Sequence, residues 1–383
     1  MFTFNTTRSI VSGAGATARI GTLVRPILGD RVLLVTDRGL RSIGLIDPIL
    51  AALAAAGIHS TVYDAVHADP PESDILAGVD AAKSAGVTGV LAVGGGSPMD
   101  VAKVIALVAC SGEALASTYG VGLARGPRLP LVLVPTTAGT GSEVTPIAIV
   151  TTGASEKKGI VSPLLIPDLA ILDAELTVGL PPAVTAATGI DAMVHAIEAY
   201  ASKSANNNPI SRGLAKQALR LLGANIRAAV FNGSDRDARG AMLHGSLLAG
   251  QAFANSPVAA VHALAYPIGG HFHVPHGLSN ALVLPHVLRF NLPAAAGLYA
   301  EIATDAFPEL GGIAEARRGE AFIEALAALS RELGVPQTLR DVGITADALD
   351  LLATDAMKQT RLLVNNPREL TLADARAVYA AAL

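Results

Sequence analysis

Apolar positions follow two different patterns along this chain of 383 residues. In the first part, short apolar runs of strand length alternate with longer segments in which apolar residues recur every three or four positions. The runs that predict strands are RVLLVTD, HSTVYDAV, VTGVLAVGGG, RLPLVLVPTT, IAIVTT and DLAILD, all between residues 31 and 173. Strands separated by helices of this length predict a parallel sheet with helices on both of its faces.

The second pattern begins near Leu180, at a pair of prolines. Beyond this point the strand signals largely vanish, and long segments rich in alanine and leucine follow one another, divided by glycine and proline. A chain of this length also suits two domains better than one. We therefore predict an α/β domain over residues 1–180 and an all-helical domain over residues 181–383.

Composition narrows the class of protein. Apolar residues make up 51% of the chain but aromatic residues only 4%, so the core is expected to be aliphatic. A net charge of -4 argues against a nucleic-acid partner. The first residues do not resemble a signal peptide and no uninterrupted apolar run has membrane length, so we expect a soluble, cytoplasmic protein. The single cysteine, Cys110, excludes an internal disulfide, fits a reducing compartment and is expected to be buried.

A glycine-rich turn is the first candidate site. Gly94, Gly95 and Gly96 directly follow a predicted strand, and Ser97 and Pro98 then supply signals for the start of a helix. Glycines allow backbone N–H groups to approach an anion, and a helix N-terminus adds partial positive charge, which suits a diphosphate. The turn matches neither the G-x-G-x-x-G fingerprint nor a P-loop, and by itself it is equally typical of an ordinary tight turn.

Two further features favour a dinucleotide. The loop after the next strand carries hydroxyls at Thr136, Thr137 and Thr140, and such loops bind nucleotides at the carboxyl ends of parallel strands. Asp37 ends an earlier strand, where a carboxylate accepts hydrogen bonds from a ribose diol and repels a 2′-phosphate. An ordinary turn aspartate is the alternative. Together these residues favour NAD over NADP.

The helical part contains candidate metal ligands. Asp191 and His195 are four residues apart in an apolar segment, so both lie on one face of the predicted helix. Burying a carboxylate there is unfavourable unless it meets a partner or a cation. Four later histidines could add ligands, and their spacing does not select among them: His262, His271, His273 and His276. Carboxylate and imidazole ligands suit iron or zinc, and the lack of nearby cysteines disfavours a structural zinc site.

Several motifs resemble, in order and spacing, those of the iron-containing (group III) alcohol dehydrogenases. They are GGGSPMDVAK (94–103), PTTAGTGSEVT (135–145), GIDAMVHAIEAY (189–200), HALAYPIGGHFHVPHG (262–277) and NNPRE (365–369). The resemblance covers nearly the whole chain. It implies a Rossmann-like, dinucleotide-binding α/β domain followed by an all-helical metal-binding domain, in a dehydroquinate synthase-like architecture with the active site in the cleft between the domains.

The resemblance also implies roles for individual residues. The family's metal ligands correspond to Asp191, His195, His262 and His276. Its cofactor contacts correspond to Asp37, Gly94, Gly95, Gly96, Ser97, Asp100, Thr136, Thr137, Thr140 and Lys157, with Lys103 completing the glycine motif. His271 and His273 are then bystanders or cleft residues, and Glu198 an outer partner or a solvated side chain. Arg361 and Arg368 are expected to be structural or surface residues rather than substrate contacts.

Tyr266 departs from the family pattern. Many members carry a histidine at this position, near the substrate and the nicotinamide. We assign Tyr266 to the catalytic residues together with His276, although a phenol, with an unperturbed pKa of about 10, is a poorer proton shuttle at neutral pH. A packing role for the ring is the alternative.

The implied activity is reversible hydride transfer between NAD(H) and a small alcohol or hydroxy acid and its aldehyde or ketone. A divalent metal, Fe²⁺ or alternatively Zn²⁺, would act as the Lewis acid. The alternatives are a hydroxyacid-oxoacid transhydrogenase, a maleylacetate reductase-like enzyme and, less favoured, a lyase similar to dehydroquinate synthase, which would need other ligands and a basic phosphate site. The family also suggests a homodimer or higher homo-oligomer.

Overall fold

The computed structural model describes residues 1–153 and 156–383. The chain forms two compact units. One unit contains Asn5–Val178, and the other joins Met1–Phe4 to Gly179–Leu383.

The first unit contains two sheets. Their strands are β1 (Ser9–Ser12), β2 (Arg31–Val35), β3 (His59–Tyr63), β4 (Gly89–Gly94), β5 (Gly120–Val121), β6 (Leu131–Pro135), β7 (Ile147–Thr152), β8 (Glu156–Val161) and β9 (Leu169–Leu172). The main sheet has the order β1-β9-β6-β4-β2-β3 and all of its pairs are parallel. The second sheet has the order β5-β8-β7, with β7 and β8 antiparallel.

Helices cover both faces of the main sheet, and each face has its own apolar core. The helices of this unit are α1 (Ile20–Leu28), α2 (Arg38–Ser42), α3 (Asp47–Ala55), α4 (Glu72–Ser84) and α5 (Gly96–Ser111). Because successive strand residues point to opposite faces, Leu33 joins the core beneath α4 and α5, while Val32 and Leu34 join the core beneath α1 and α3. Each fully buried aliphatic side chain contributes about 1.5–3 kcal/mol to folding.

Cys110 does not follow its prediction, because the structure exposes it. The buried residues of α5 end at Val108, and Gly112 closes the helix in the left-handed region at φ 70°. The last turn of α5 therefore extends past the core, and a small residue there meets solvent. The expectation of burial was wrong.

The second unit is built from helices, and no strand occurs among its described residues. Its helices are α6 (Pro182–Ala201), α7 (Pro209–Phe231), α8 (Arg236–Asn255), α9 (Ala260–Phe272), α10 (His276–Ala306), α11 (Glu315–Glu332), α12 (Leu349–Ala356), α13 (Thr360–Leu363) and α14 (Leu372–Ala381). The predicted order of a parallel α/β part followed by a helical part is confirmed.

Helix α10 is long and apolar enough to span a membrane by length and composition alone. It packs instead against α6, α7, α9, α11 and α14, and it buries polar residues such as Asn280 and Asn291. These are the properties of a core helix in a soluble protein.

Candidate functional site

Most of the predicted cofactor residues lie near the carboxyl ends of neighbouring strands of the main sheet. Strands β2, β4 and β6 are neighbours and parallel, so Asp37, the glycine turn 94–96 and the threonine loop 136–140 all follow carboxyl ends at the same edge. The chain passes from β2 outward to β3 and then returns to β4 on the other side of β2. Open α/β sheets bind ligands at such a switch in strand order.

The glycine turn and the threonine loop are in direct contact. Thr136 N donates to Gly94 O over 3.0 Å. A Cβ on Gly96 would lie 2.9 Å from Thr140 Cγ2, and one on Gly95 would lie 3.5 Å from Thr137 Oγ1. Helix α5 begins at Gly96 without a side-chain cap, and Ser97 and Pro98 lie in its first turn. The absence of a side chain at Gly96 therefore leaves room for the loop to lie this close to the helix N-terminus.

Two charged residues of the glycine motif hold the segment 142–149, which follows the threonine loop. Asp100 accepts hydrogen bonds from Ser142 Oγ at 2.6 Å and from Ile149 N at 2.9 Å. Lys103 is fully buried, and its Nζ donates to three oxygens: Ser142 Oγ, Thr145 Oγ1 and Ile147 O. Burial lowers the pKa of Lys103 to about 8, against opposing interactions with Asp100 and Glu143. The contacts of both residues tie α5 to residues 142–149.

The two remaining cofactor candidates also have protein partners. Asp37 caps α2 by accepting from Leu40 N at 2.9 Å. Lys157, on β8, forms an ion pair with Asp69 at 2.7 Å and donates to Thr151 Oγ1 at 2.8 Å. Burial lowers the pKa of Lys157, and Asp69 partly offsets that effect.

Four residues of the helical unit form a compact group of possible metal ligands. Asp191 and His195 lie one turn apart on α6, His262 lies on α9, and His276 is the first residue of α10. One ligand atom from each lies within 4.8 Å of the others. The Nε2 atoms of His195 and His262 are 3.0 Å apart, and Asp191 Oδ1 lies 3.6 Å from His276 Nε2. We call these four residues the ligand group.

The packing of α10 onto α6 brings His276 to Asp191. A Cβ on Gly277 would lie 2.5 Å from Ala187 O and 3.3 Å from Asp191 Cβ. Only glycine allows the start of α10 to approach the backbone of α6 this closely. Gly277 therefore allows His276 to lie close to Asp191.

The structure selects among the four later histidines. His262 and His276 join Asp191, whereas His271 Nε2 lies 2.5 Å from Asp355 Oδ2. His273 ends α9 in the left-handed region, at φ 55°. The spacing of these residues alone could not make that selection.

The ligand group is accessible on one side. The side chains of Asp191 and His262 are 2% and 3% exposed, whereas that of His276 is 38% exposed. The ring centroid of Tyr266 lies 5.9 Å from that of His276, so the tyrosine borders the same open side.

Asn280 is a neighbour of the ligand group that the sequence analysis missed. It is buried, and its Nδ2 donates to Asp191 Oδ1 at 2.6 Å and lies 3.3 Å from the Nε2 atoms of His262 and His276. Its Oδ1 is buried without a hydrogen-bond partner among the described residues. A signal was available, because Asn280 lies four residues after His276 and so shares its face of α10.

Two other side chains orient the histidines. Glu198 is 5% exposed, and its Oε2 lies 2.6 Å from His262 Nδ1, so it is a buried outer partner and not a solvated residue. Phe253 stacks on His195 with ring centroids 4.3 Å apart. No pattern in the sequence pointed to Phe253.

The chemistry of the ligand group fits a divalent cation. Burial alone would raise the pKa of Asp191, but His195, His276, His262 and the Asn280 hydrogen bond outweigh it and lower that pKa. An ionised carboxylate therefore lies among three imidazoles. Two nitrogen lone pairs 3.0 Å apart repel each other unless a proton or a cation lies between them. Carboxylate and imidazole ligands together suit iron or zinc.

Arg368, one of the two arginines considered as substrate contacts, binds to α10 instead. Arg368 Nη1 donates to Phe290 O at 2.8 Å, and its guanidinium lies 4.1 Å from the Phe290 ring centroid. Asn366, in the same NNPRE motif, exchanges side-chain hydrogen bonds of 2.7 and 3.0 Å with Asn291 of α10. This C-terminal motif thus fastens the chain to α10.

Comparison with known proteins covers both units. Residues 7–174 match the family described as iron-containing alcohol dehydrogenase, and residues 185–383 match the C-terminal part of the Fe-containing alcohol dehydrogenase family. The long-chain-alcohol dehydrogenase 1 of Geobacillus thermodenitrificans (strain NG80-2) is 41% identical over 377 residues, which is 97% of this chain and 94% of the relative.

Solved structures also match this chain over its whole length. The crystal structure of a 1,3-propanediol oxidoreductase matches with a TM-score of 0.96 and 37% identity, covering 100% of both chains. The sulfoacetaldehyde reductase from Bifidobacterium kashiwanohense, solved in complex with NAD+, matches with a TM-score of 0.88 and 28% identity, covering 100% of this chain and 98% of that one.

These matches confirm the resemblance seen in the motifs. The protein is a metal-dependent, NAD-linked oxidoreductase with a small-molecule alcohol or aldehyde as substrate. The chain belongs to the iron-containing alcohol dehydrogenase family.

Proposed function

We propose that this enzyme interconverts a small alcohol or hydroxy acid and its aldehyde or ketone, and that Asp191, His195, His262 and His276 hold its divalent metal. The observation that carries the proposal is the convergence of these four side chains, with one ligand atom of each within 4.8 Å of the others. Fe²⁺ is the proposed resident ion and Zn²⁺ the alternative, because both accept this ligand set.

The protein's own residues hold the ion and orient the substrate. When bound, the divalent metal supplies Lewis-acid polarisation of the substrate oxygen. Asp191 contributes one negative charge and the three histidines none, so the site keeps a net positive charge that attracts an oxygen ligand. The alcohol approaches on the exposed side of His276, where Tyr266 is assigned to hydrogen-bond the substrate oxygen.

The NAD site is assigned to the carboxyl edge of the main sheet. Gly94, Gly95, Gly96 and Ser97 would bind the diphosphate through backbone N–H groups at the start of α5. Thr136, Thr137 and Thr140 are assigned to further cofactor contacts, and Asp37 to the ribose diol. Asp100 acts through Ser142, which it positions, and Lys157 is proposed to exchange its Asp69 contact for the cofactor.

Three broader proposals accompany this assignment. Residues 1–180 form the NAD-binding domain, and residues 181–383 form the domain that binds metal and substrate. The enzyme is a homodimer or a higher homo-oligomer, which light scattering of the purified protein tests. It is cytoplasmic, a proposal that its lone cysteine supports.

The activity test uses metal-free protein reloaded with Fe²⁺ under anaerobic conditions, or with Zn²⁺. A panel of short alcohols, diols and hydroxy acids is offered with NAD, and NADH and aldehyde are both quantified. We expect NADH to form in a one-to-one ratio with aldehyde, and only after metal is restored. Consumption of substrate without net NADH would contradict the proposal and indicate a lyase that recycles its cofactor.

A further inference from the structure

Helix α9 begins without a side-chain cap from its own flanking sequence. The first N–H groups of a helix have no partner within the helix, so another group must accept from them. Here Glu198, from α6, accepts from Val261 N at 2.7 Å through Oε1. A carboxylate at this end of a helix also interacts favourably with the helix dipole.

The other oxygen of the same carboxylate contacts a proposed metal ligand. Glu198 Oε2 lies 2.6 Å from His262 Nδ1, and both side chains are buried, with 4% and 3% exposure. Glu198 therefore holds two adjacent groups of α9, the Val261 backbone and the His262 ring. One oxygen of the carboxylate holds a nitrogen of the His262 ring, and its other oxygen is fixed by the Val261 N–H. The ring therefore has little freedom to rotate.

This contact determines which nitrogen of His262 is available to a cation. An ionised carboxylate only accepts hydrogen bonds, so His262 Nδ1 carries the proton. The neutral ring then has its lone pair on Nε2, which lies 3.0 Å from His195 Nε2 and 3.9 Å from Asp191 Oδ1. A carboxylate on the far nitrogen also makes the imidazole a stronger donor to a metal.

We infer that Glu198 is a positioning residue for the metal: it fixes the tautomer and ring orientation of His262 and thereby sets how tightly the ion is held. This inference rests on the proposed metal site. It assigns a role to a carboxylate outside the ligand group, and it explains why a glutamate is buried one turn after His195. It also makes the start of α9 and the metal site depend on the same side chain.

The test measures the dissociation constant of Co²⁺, by competition with a chelator, in wild type and E198Q. Glutamine has a single oxygen, so it satisfies either the Val261 N–H or the His262 Nδ1–H and presents its amide N–H₂ to the other. We expect Co²⁺ affinity to fall about 10- to 100-fold. We also expect the visible absorption spectrum of bound Co²⁺ to change, because the His262 ring moves.

A matched control separates positioning from stability. Asp305 is another buried carboxylate of the helical unit, and it pairs with Arg220. D305N should lower thermal stability yet keep the Co²⁺ affinity and spectrum of wild type. If E198Q behaves like D305N, Glu198 only caps α9 and the inference is wrong.

Two further results keep the test decisive. If wild-type protein binds no Co²⁺, the proposed metal site fails, whereas retained binding in E198Q overturns only the role of Glu198. If E198Q does not fold, nitrogen-15 NMR of zinc-loaded wild type replaces it. A protonated Nδ1 and a metal-bound Nε2 on His262 support the inference, and metal on Nδ1 refutes it.

Discussion

At the scale of single residues, two carboxylates, Asp37 and Glu143, allow direct tests of the structure. Asp37 caps α2 and is also assigned to the ribose of NAD. Glu143, in the segment 142–149 that Lys103 holds, is buried, and its Oε1 lacks a hydrogen-bond partner among the described residues. Variants that remove the charge of each side chain but keep a polar group test its role.

Asp37→Ser removes the charge but keeps an oxygen that caps α2, because serine is as good a cap as aspartate. We expect the ratio of kcat/KM for NADP to that for NAD to rise about tenfold or more, since repulsion of the 2′-phosphate disappears. The same exchange at Asp235, which caps α8 by accepting from Ala238 N, is the control and should leave the ratio unchanged. If the ratio is unaltered in Asp37→Ser, Asp37 only caps α2 and does not select NAD.

Glu143 makes stability depend on pH. Burial raises its pKa to about 7, and its own backbone hydrogen bond and Lys103 oppose this only in part. Between its unfolded value of 4.5 and about 7, the folded protein therefore keeps a proton that the unfolded chain has released. Stability contributed by this group falls as pH rises through that interval.

Glu143→Gln should remove this dependence, because the amide does not ionise. Relative to wild type, the variant should gain of order 1 kcal/mol of stability between about pH 5 and pH 7. Thermal unfolding of both proteins at the two pH values measures the effect. A difference between the proteins that stays constant with pH would refute the buried, ionising carboxylate.

The residues of the site were predictable to different degrees. Asp191 and His195 share a helix face, which the spacing showed directly. Choosing His262 and His276 over His271 and His273 needed either the family motifs or the fold, because the choice depends on how α9 and α10 meet α6. The buried positions of Asn280 and Phe253 likewise follow from helix packing, which short-range patterns do not record.

At the scale of elements, two helices can approach closely where one of them carries a glycine. The sequence alone does not show which glycines lie at such contacts. Gly297, in α10, is exposed, and a Cβ there would have no atom within 4 Å. Gly319, in α11, is buried, and its Cβ would lie 2.6 Å from Ala296 O on α10. Prediction of strands from apolar patterns is limited in the same way. Strands β2, β4 and β6 were predicted because their sequences are strongly apolar. The short strand β1 is largely exposed and was not predicted.

The two glycines should respond oppositely to alanine. Gly297→Ala should stabilise the protein by about 0.5–1 kcal/mol, because alanine favours an exposed helix. Gly319→Ala should destabilise it by about 1–3 kcal/mol, because α11 must move away from α10. Chemical denaturation of both variants measures the pair. Equal effects would contradict the close packing of these helices.

At the scale of the whole molecule, the sequence separates nucleotide chemistry from metal chemistry along the chain. The alternation of strands and helices predicted the parallel sheet, and the loss of strand signals after Leu180 predicted the helical part. Glycines and hydroxyls follow strands of the first part, whereas the aspartate and histidines lie in the second. Hydride transfer needs both sets of residues. The central claim is that the ligand group in the helical part holds the divalent metal.

The metal content of the protein tests that claim most directly. Iron-loaded wild type, the Asp191→Asn and His262→Ala variants, and a control are desalted anaerobically and analysed for metal per chain. The control is His286→Gln, because His286 is a histidine of α10 outside the ligand group. A site with four protein ligands predicts about one ion per chain in wild type and in the control, and far less than one in the two ligand variants. A full complement of metal in Asp191→Asn and His262→Ala would contradict the account.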